Sequence, residues 1–424
     1  MALHVMDEAN HCLKCKVPRC QQGCPIHTNI PEVIRLLQDG QLNEAGKMLF
    51  ENNPLTTVCS LICNHENQCE GHCVQGIKGS PVHFSVIENY ISTTFASQMT
   101  EGPKERNGKR VAIIGSGPAG LTIAVILQRY GYDVTIFEAH DKIGGVLRYG
   151  IPEFRLPKSV LDDFEYRHLR MKDIKIRPNI DVGKVLKIED LFRDGYKAIF
   201  IGAGVWRPNA LHIKGEGLGN VHFAINYLSN PDVYHLGDEV VIIGAGNAAM
   251  DVARTAKHHG SRKVTCFSIT DKITASDYEA SYAQLEGVEI IRNKKPLEIK
   301  DDGVIFIDVK EDENGKIVEV PGTEKKYMAS SVVVSISQGA CSTIHDSTTG
   351  LEVNERGLFI TDERGMTTRP GIFASGDAVK GARTVVEAVA NSKMVAEAMH
   401  EYMQSLPDDE DEDAYKDVPV AQEV

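Results

Sequence analysis

Three patterns of apolar and polar positions run along the chain. In IPEVIRLLQDGQLNEAGKMLFENN, Ile30, Val33, Ile34, Leu36 and Leu37, then Leu42, Ala45 and Leu49, recur at three- to four-residue spacing and predict amphipathic helices. VAIIGSGPAGLTIAVILQRYGYDVTIFEAH runs from a short β-branched stretch through a glycine turn and an amphipathic stretch to a second β-branched run ending in an acid, which predicts a βαβ unit. The same succession returns in VVIIGAGNAAMDVARTAKHHGSRKVTCFSI from residue 240. YKAIFIGAG (196–204), SSVVVSISQGA (330–340) and RPGIFASGDAV (369–379) are buried-type runs that end in small residues, as strands of a doubly wound sheet do where their loops approach a ligand.

These patterns predict an α/β protein with a helical N-terminal part. The charged, apolar-poor TEGPKERNGKR (100–110) reads as a linker. A helical domain is expected over 1–105, the first part of a nucleotide-binding domain over 106–230, an inserted second nucleotide-binding domain over 231–330, and the return of the first over 331–406. Residues 407–424 are expected to be an acidic tail.

At 424 residues the chain exceeds one comfortable core, which agrees with several folding units. Hydrophobic residues at 42% and charged residues at 25% place it among globular proteins and argue against wholesale disorder. No run approaches about 18 uncharged apolar residues, and MALHVMDEANHCLKCKVPRC lacks an apolar leader core, so neither a membrane span nor a secretory signal is expected and a cytoplasmic location is. Forty-six basic against 59 acidic residues leave a net charge of −13, which argues against a nucleic-acid binder that tracks phosphates. The tail PDDEDEDAYKDVPVAQEV carries much of that excess and reads as solvated.

The chemistry lies in glycines and cysteines. Gly115, Gly117 and Gly120 follow a strand and open a helix, and Glu138 ends the next strand. This is the arrangement that makes a tight turn, admits a pyrophosphate to a helix N-terminus and offers a carboxylate to ribose hydroxyls. Gly144 and Gly145, followed by Arg148, read as a second approach to the cofactor, and Gly376 with Asp377 as a third; three visits suit FAD, which is longer than NAD. The second fingerprint, Gly244, Gly246, Asn247 and Ala249 with Asp251 one turn into the helix, is expected to hold NAD(P)H. The strand after it ends in Ser268 and Ile269 with no acid or arginine at its tip, so NADH is favoured, although Arg262, Lys263 and Lys272 keep NADPH in view. Cys12, Cys15, Cys20 and Cys24 and then Cys59, Cys63, Cys69 and Cys73 supply eight thiolates. They could hold two four-thiolate iron–sulfur centres or zinc, and the redox motifs downstream favour iron–sulfur. Cys266 and Cys341 read as buried small apolar residues, which excludes a disulfide beside the flavin. Trp206 suits either a cofactor edge or simple packing.

With these residues in hand, the chain resembles the glutamate synthase small-subunit family and, within it, the NAD-binding subunits of bacterial NAD-dependent dihydropyrimidine dehydrogenases. CLKCKVPRCQQGCP, CSLICNHENQCEGHC, IIGSGPAGL, GGVLRYGIPEFRLP, IIGAGNAAMD and GIFASGDAVKGARTVVEAV carry the resemblance. It implies an N-terminal α-helical domain with two [4Fe–4S] clusters. A disulfide-oxidoreductase-like, Rossmann-like FAD domain follows, with a Rossmann-like NAD(P) domain inserted in it. It further implies one cluster on Cys12, Cys15, Cys20 and Cys73 and another on Cys24, Cys63, Cys69 and Glu88, with Cys59 left over. Thr384 and Val385 join Asp377 at the flavin. Electrons would pass from NAD(P)H to FAD and through the clusters to a separate subunit that carries the substrate site. That partner is expected to be dihydropyrimidine dehydrogenase-like, with a glutamate synthase large chain or an electron-bifurcating or hydrogenase-type complex as alternatives. Family members that use NADPH show paired arginines where this chain has Ser268 and Ile269. A reading of another class is a non-catalytic redox sensor or scaffold that binds the same cofactors.

Overall fold

The computed structural model describes residues 2–98, 105–313 and 315–407; the acidic tail beyond 407 and much of the linker lie outside them. The N-terminal helices Ala2–Asn10, Ile30–Gln38, Leu42–Asn52 and Phe84–Gln98 enclose Val5, Ile34, Leu49, Ile87 and Ile91. The 30–52 periodicity therefore forms two helices, broken where Gly40 turns the chain at φ +77°.

The first βαβ unit begins a parallel sheet of β1 (Arg110–Ile114), β2 (Asp133–Phe137), β3 (Lys175–Arg177) and β4 (Tyr196–Ile201). Their order is β4-β1-β2-β3, with in-register pairs such as Ile114 with Phe137. The chain leaves this sheet through β5 (Arg207–Pro208). A second parallel sheet uses β6 (Val221–Phe223), β7 (Glu239–Ile243), β8 (Lys263–Phe267) and β9 (Val288–Ile291). The antiparallel strands β10 (Lys294–Lys300), β11 (Gly303–Glu311), β12 (Ile317–Glu319) and β13 (Lys325–Met328) pack Phe306 on Phe267 at 4.0 Å between ring centroids.

The next strand, β14 (Ser331–Val334), pairs with β6 and β7 in the second sheet. The sequence placed it in the returning first domain and gave Val221–Phe223 to the first domain as well; both belong to the insert, which is wider than 231–330 on each side. The return comes at β15 (Gln338–Gly339), which pairs antiparallel with β5. β16 (Ile372–Ala374) then joins β4 at the edge of the first sheet. The long helix Val385–Ser405 lies on Pro118–Arg129, and its buried Ser392 hydroxyl meets that of Ser375, just after β16, at 2.7 Å.

The helical domain shares a core with the flavin-type domain. Phe50, Leu55 and Val58 pack with Ile126, Leu127 and Phe164. Arg129 lies 4.5 Å over the Phe50 ring and donates to its carbonyl.

Candidate functional site

A cavity of ≈ 440 Å³ opens at the carboxyl ends of β1, β2, β4 and β16, where ligands of doubly wound sheets bind. Gly115, at φ +91°, permits the turn there, and a Cβ on it would stand 2.6 Å from the Gly202 carbonyl oxygen. A Cβ on Gly117 would meet nothing within 4 Å, leaving space for a ligand at the N-terminus of helix Pro118–Arg129. Gly120 does not line the cavity; a Cβ on it would press 2.0 Å from the Gly115 carbonyl, so it lets helix and strand close up. Gly145 reaches φ +51° and brings its backbone against Gly117. These features fit the pyrophosphate of a long dinucleotide.

Glu138 is buried at the rim. It accepts from the Ser116 N–H at 2.9 Å and hydroxyl at 2.5 Å, and from the His140 N–H at 2.8 Å and Nδ1 at 2.9 Å. Burial alone would raise its pKa, but the His140 and Ser116 bonds hold it below the ordinary carboxylate range. Ser116 and His140 were missed in the sequence, since only the folded turn shows that they support Glu138. Trp206 lines the cavity 5.0 Å from the His140 ring. Gly376, Asp377, Thr384 and Val385 line it from the opposite side. Burial pushes Asp377 up to about 6, against one hydrogen bond from the Arg383 N–H. Thr384 closes a capping box with Glu387, so the helix starting at Val385 points its N-terminus at the cavity.

Arg148 stands apart from the cavity lining; its guanidinium donates to the Ile143 carbonyl and to Asp162. Cys341, read as a buried apolar residue, is exposed and lines the cavity, whereas Cys266 is buried as expected.

The second fingerprint caps helix Asn247–His258. A Cβ on Gly244 would stand 2.1 Å from the Ser335 carbonyl oxygen, and one on Gly246 would stand 3.2 Å from Thr274 Oγ1. Asn247 Oδ1 accepts from the Ser276 N–H at 2.9 Å, and Ala249 is fully buried where a third glycine often stands. Arg262 and Lys263 sit at the amino end of β8, about 17 Å of strand from the Ser268 tip. Asp251 turns away from the fingerprint. Arg155 donates to both its oxygens, at 2.9 and 2.7 Å, and pairs with Glu279 at 2.9 Å. Burial pushes Asp251 up to about 6 despite this partner. Phe154, beside Arg155, lies under Arg254, so the segment GIPEFRLP joins the flavin-type domain to the insert.

The thiols fall into two groups. Cys12, Cys15, Cys20 and Cys73 face one another, and Cys63, Cys69 and Cys24 gather near Glu88, with Cys59 beside Cys63. Burial first, then the neighbouring sulfurs, hold the Cys20 thiol up at about 11, while burial pushes Glu88 up to about 7 despite the Thr56 hydroxyl at 2.7 Å. A cationic centre would relieve both effects, so the donor set fits a metal cluster. Among the described residues, no three His, Cys, Asp or Glu side chains converge closely enough for a single metal ion.

Residues 109–392 match the model of the pyridine nucleotide-disulphide oxidoreductase family, and residues 2–100 match that of dihydropyrimidine dehydrogenase domain II, 4Fe-4S cluster. The chain is 32% identical to the glutamate synthase [NADPH] small chain of Azospirillum brasilense, over 93% of this chain and 88% of that one. The chain belongs to the glutamate synthase small-chain family. Within this family it is also 33% identical to the NAD-dependent dihydropyrimidine dehydrogenase subunit PreT of Escherichia coli K12, over 95% of each chain. The family's disulfide-oxidoreductase fold appears in Mycobacterium tuberculosis FprA in complex with NADPH (TM-score 0.58, 17% identity, 70% of this chain, 85% of that one). It appears again in T. acidophilum thioredoxin reductase (TM-score 0.54, 22% identity, 70% of this chain, 98% of that one). The glutamate synthase small-chain family thus accounts for both parts of the molecule: an FAD- and Fe–S-dependent oxidoreductase subunit with an N-terminal 4Fe-4S domain. No helix among the described residues is long and apolar enough to cross a membrane.

Proposed function

We propose that this chain is the electron-input subunit of a cytoplasmic multisubunit oxidoreductase, taking electrons from NADH and delivering them through two [4Fe–4S] clusters to a partner that holds the substrate site. The observation that carries the reading is the order of sites in space. Cys24 and Cys63 pack against the core that the helical domain shares with the flavin-type domain, while Cys12, Cys20 and Cys73 pack only against the other helical core, which Cys24 also touches, and are flanked in sequence by exposed Leu13, Val17 and Ile77. Bound FAD would supply the conversion from a hydride to single electrons.

The chain's own residues bind and orient. Gly115, Gly117, Gly145 and Gly376 admit the FAD pyrophosphate, Glu138 takes a ribose, and Asp377, Thr384 and Val385 face the remainder. Gly244, Gly246, Asn247 and Ala249 admit the nicotinamide dinucleotide. Ser268 and Ile269 at the tip of β8 offer no guanidinium to a 2′-phosphate, which supports NADH. Cys12, Cys15, Cys20 and Cys73 would hold the outer cluster, and Cys24, Cys63, Cys69 and Glu88 the inner one. The partner is read as dihydropyrimidine dehydrogenase-like because the NAD-dependent relative shares the bare β8 tip's coenzyme preference. The comparable identity to glutamate synthase small chains supports the second reading.

Anaerobic purification from native cells tests this. About eight irons per chain, flavin bleaching faster with NADH than with NADPH, and a co-purifying pyrimidine-reducing subunit are expected. About four irons would remove one cluster, faster bleaching by NADPH would reverse the coenzyme, and a glutamate synthase large chain would replace the substrate.

A further inference from the structure

Four side chains away from the flavin cavity make one polar line between the two domains. Lys393, on the helix Val385–Ser405, donates from Nζ to Asn52 Oδ1 at 2.6 Å. Asn52 ends the helix Leu42–Asn52 and donates from Nδ2 to Thr28 Oγ1 at 3.1 Å and to the Ile26 carbonyl at 3.3 Å. The Thr28 hydroxyl stands 3.4 Å from Cys24 Sγ. Donor chemistry fixes the direction of this line. An ammonium can only donate, so it selects the amide oxygen of Asn52 and turns the NH₂ toward Thr28; the hydroxyl oxygen then accepts, and its one proton is left for the sulfur.

We infer that Lys393, Asn52 and Thr28 form a one-way donor chain that raises the reduction potential of the cluster held by Cys24; this rests on the cluster reading proposed above. Hydrogen bonds to a ligating sulfur and nearby charge are the protein's main means of setting a cluster's potential. Thr28 is only 4% exposed, so bulk water competes little for its proton. Lys393 lies within electrostatic reach of Cys24: burial holds the ammonium below the ordinary lysine range, and the facing sulfur counteracts that. The helix that carries Lys393 begins at Val385 on the flavin cavity, so one rigid element touches both the flavin site and the charge that tunes the inner cluster.

The test is a reductive titration of the anaerobic holoprotein followed by low-temperature EPR, comparing the wild type with Thr28→Val and Lys393→Met. The inner-cluster signal, identified as the one that survives in Cys20→Ala, should become harder to reduce in both variants. Its oxidised-to-reduced ratio at fixed potential should rise about three- to tenfold. The outer cluster and the flavin should stay in place, and Thr28→Ser and Lys393→Arg should restore the wild-type value. Unmoved inner-cluster potentials with full iron content, or equal movement of both clusters, would overturn the donor chain. Lys393→Met carries the test where Thr28→Val, next to the ligand, loses iron. A wild type without [4Fe–4S] signals or bound iron would be a different failure, that of the cluster reading itself.

Discussion

His168 is a histidine that the fold keeps neutral. Its ring stacks on Phe50 at 4.5 Å between centroids, where the helical domain meets the flavin domain, and its Nδ1 is buried without a hydrogen-bond partner among the described residues. Burial, aided by Lys172, Arg129 and Arg167, brings its pKa down to about 3. The unfolded chain titrates near pH 6.5, so below that pH it binds a proton the native state refuses, and stability falls by about 1.4 kcal/mol per pH unit down to about pH 3. Thermal unfolding between pH 7 and 5 should show this slope, and His168→Phe should flatten it. At the second fingerprint, Gly246→Val should abolish NADH oxidation and leave FAD bound, because a branched side chain would fill the dinucleotide's approach. Absorbance of the purified variant separates the outcomes: loss of flavin would show that the two fingerprints had been assigned in the wrong order. The glycines could be read from sequence because their demands are local. Asp251 could not: its partner Arg155 is 96 positions away, and nothing near Asp251 in sequence distinguishes a cofactor ligand from a buried ion-pair acid.

Among the elements, the decisive contact is the one GIPEFRLP makes with the insert. Arg155 pairs with both Asp251 and Glu279, and all three side chains are largely buried; Glu279 also holds Arg254 at 3.3 Å. Arg155→Leu would strip buried Asp251 of the cation that bonds both its oxygens and should cost about 3–5 kcal/mol, read as a lower melting temperature. Asp251→Asn in the same chain should recover part of that loss, since it removes the stranded charge. If the contact also orients the insert, the single change should slow flavin reduction by NADH in stopped flow more than it weakens FAD binding. Strands were legible wherever a β-branched run ended in glycine. Their sheet was not: Ser331–Val334 reads as a buried parallel strand in either domain, and only its pairing with Glu239–Ile243 settles the matter. Buried parallel strands are apolar on both faces, so sequence pattern carries no information about which neighbour they choose.

Across the whole molecule, the two thiol groups lie at different depths from the flavin-type core, and the proposed order of electron flow follows that difference. Cys20→Ala should therefore leave NADH-driven flavin reduction intact, halve the bound iron, and stop delivery to the partner in a reconstituted complex; undiminished delivery would remove the outer group from the route. The division into a cysteine-rich helical part and two nucleotide-binding units was visible in the sequence, because each has its own periodicity. The shared core around Phe50 and Ile126 was not, since it forms between residues of separate domains.

The ribbon of β5 and β15 is two residue pairs long, Pro208 with Gln338 and Arg207 with Gly339. The polypeptide enters and leaves the insert through one doorway, so residues 209–337 form a contiguous cassette whose ends already touch. Coenzyme preference can then change by exchange of a single contiguous piece, provided the piece keeps Ile225, Asn226 and Ser229, which line the flavin-type cavity. A chimera joined at these two pairs has to match the seam of Phe154 and Arg155, the Ser229 hydroxyl on the Tyr149 carbonyl, and the Glu66 carboxylate on the Tyr278 N–H.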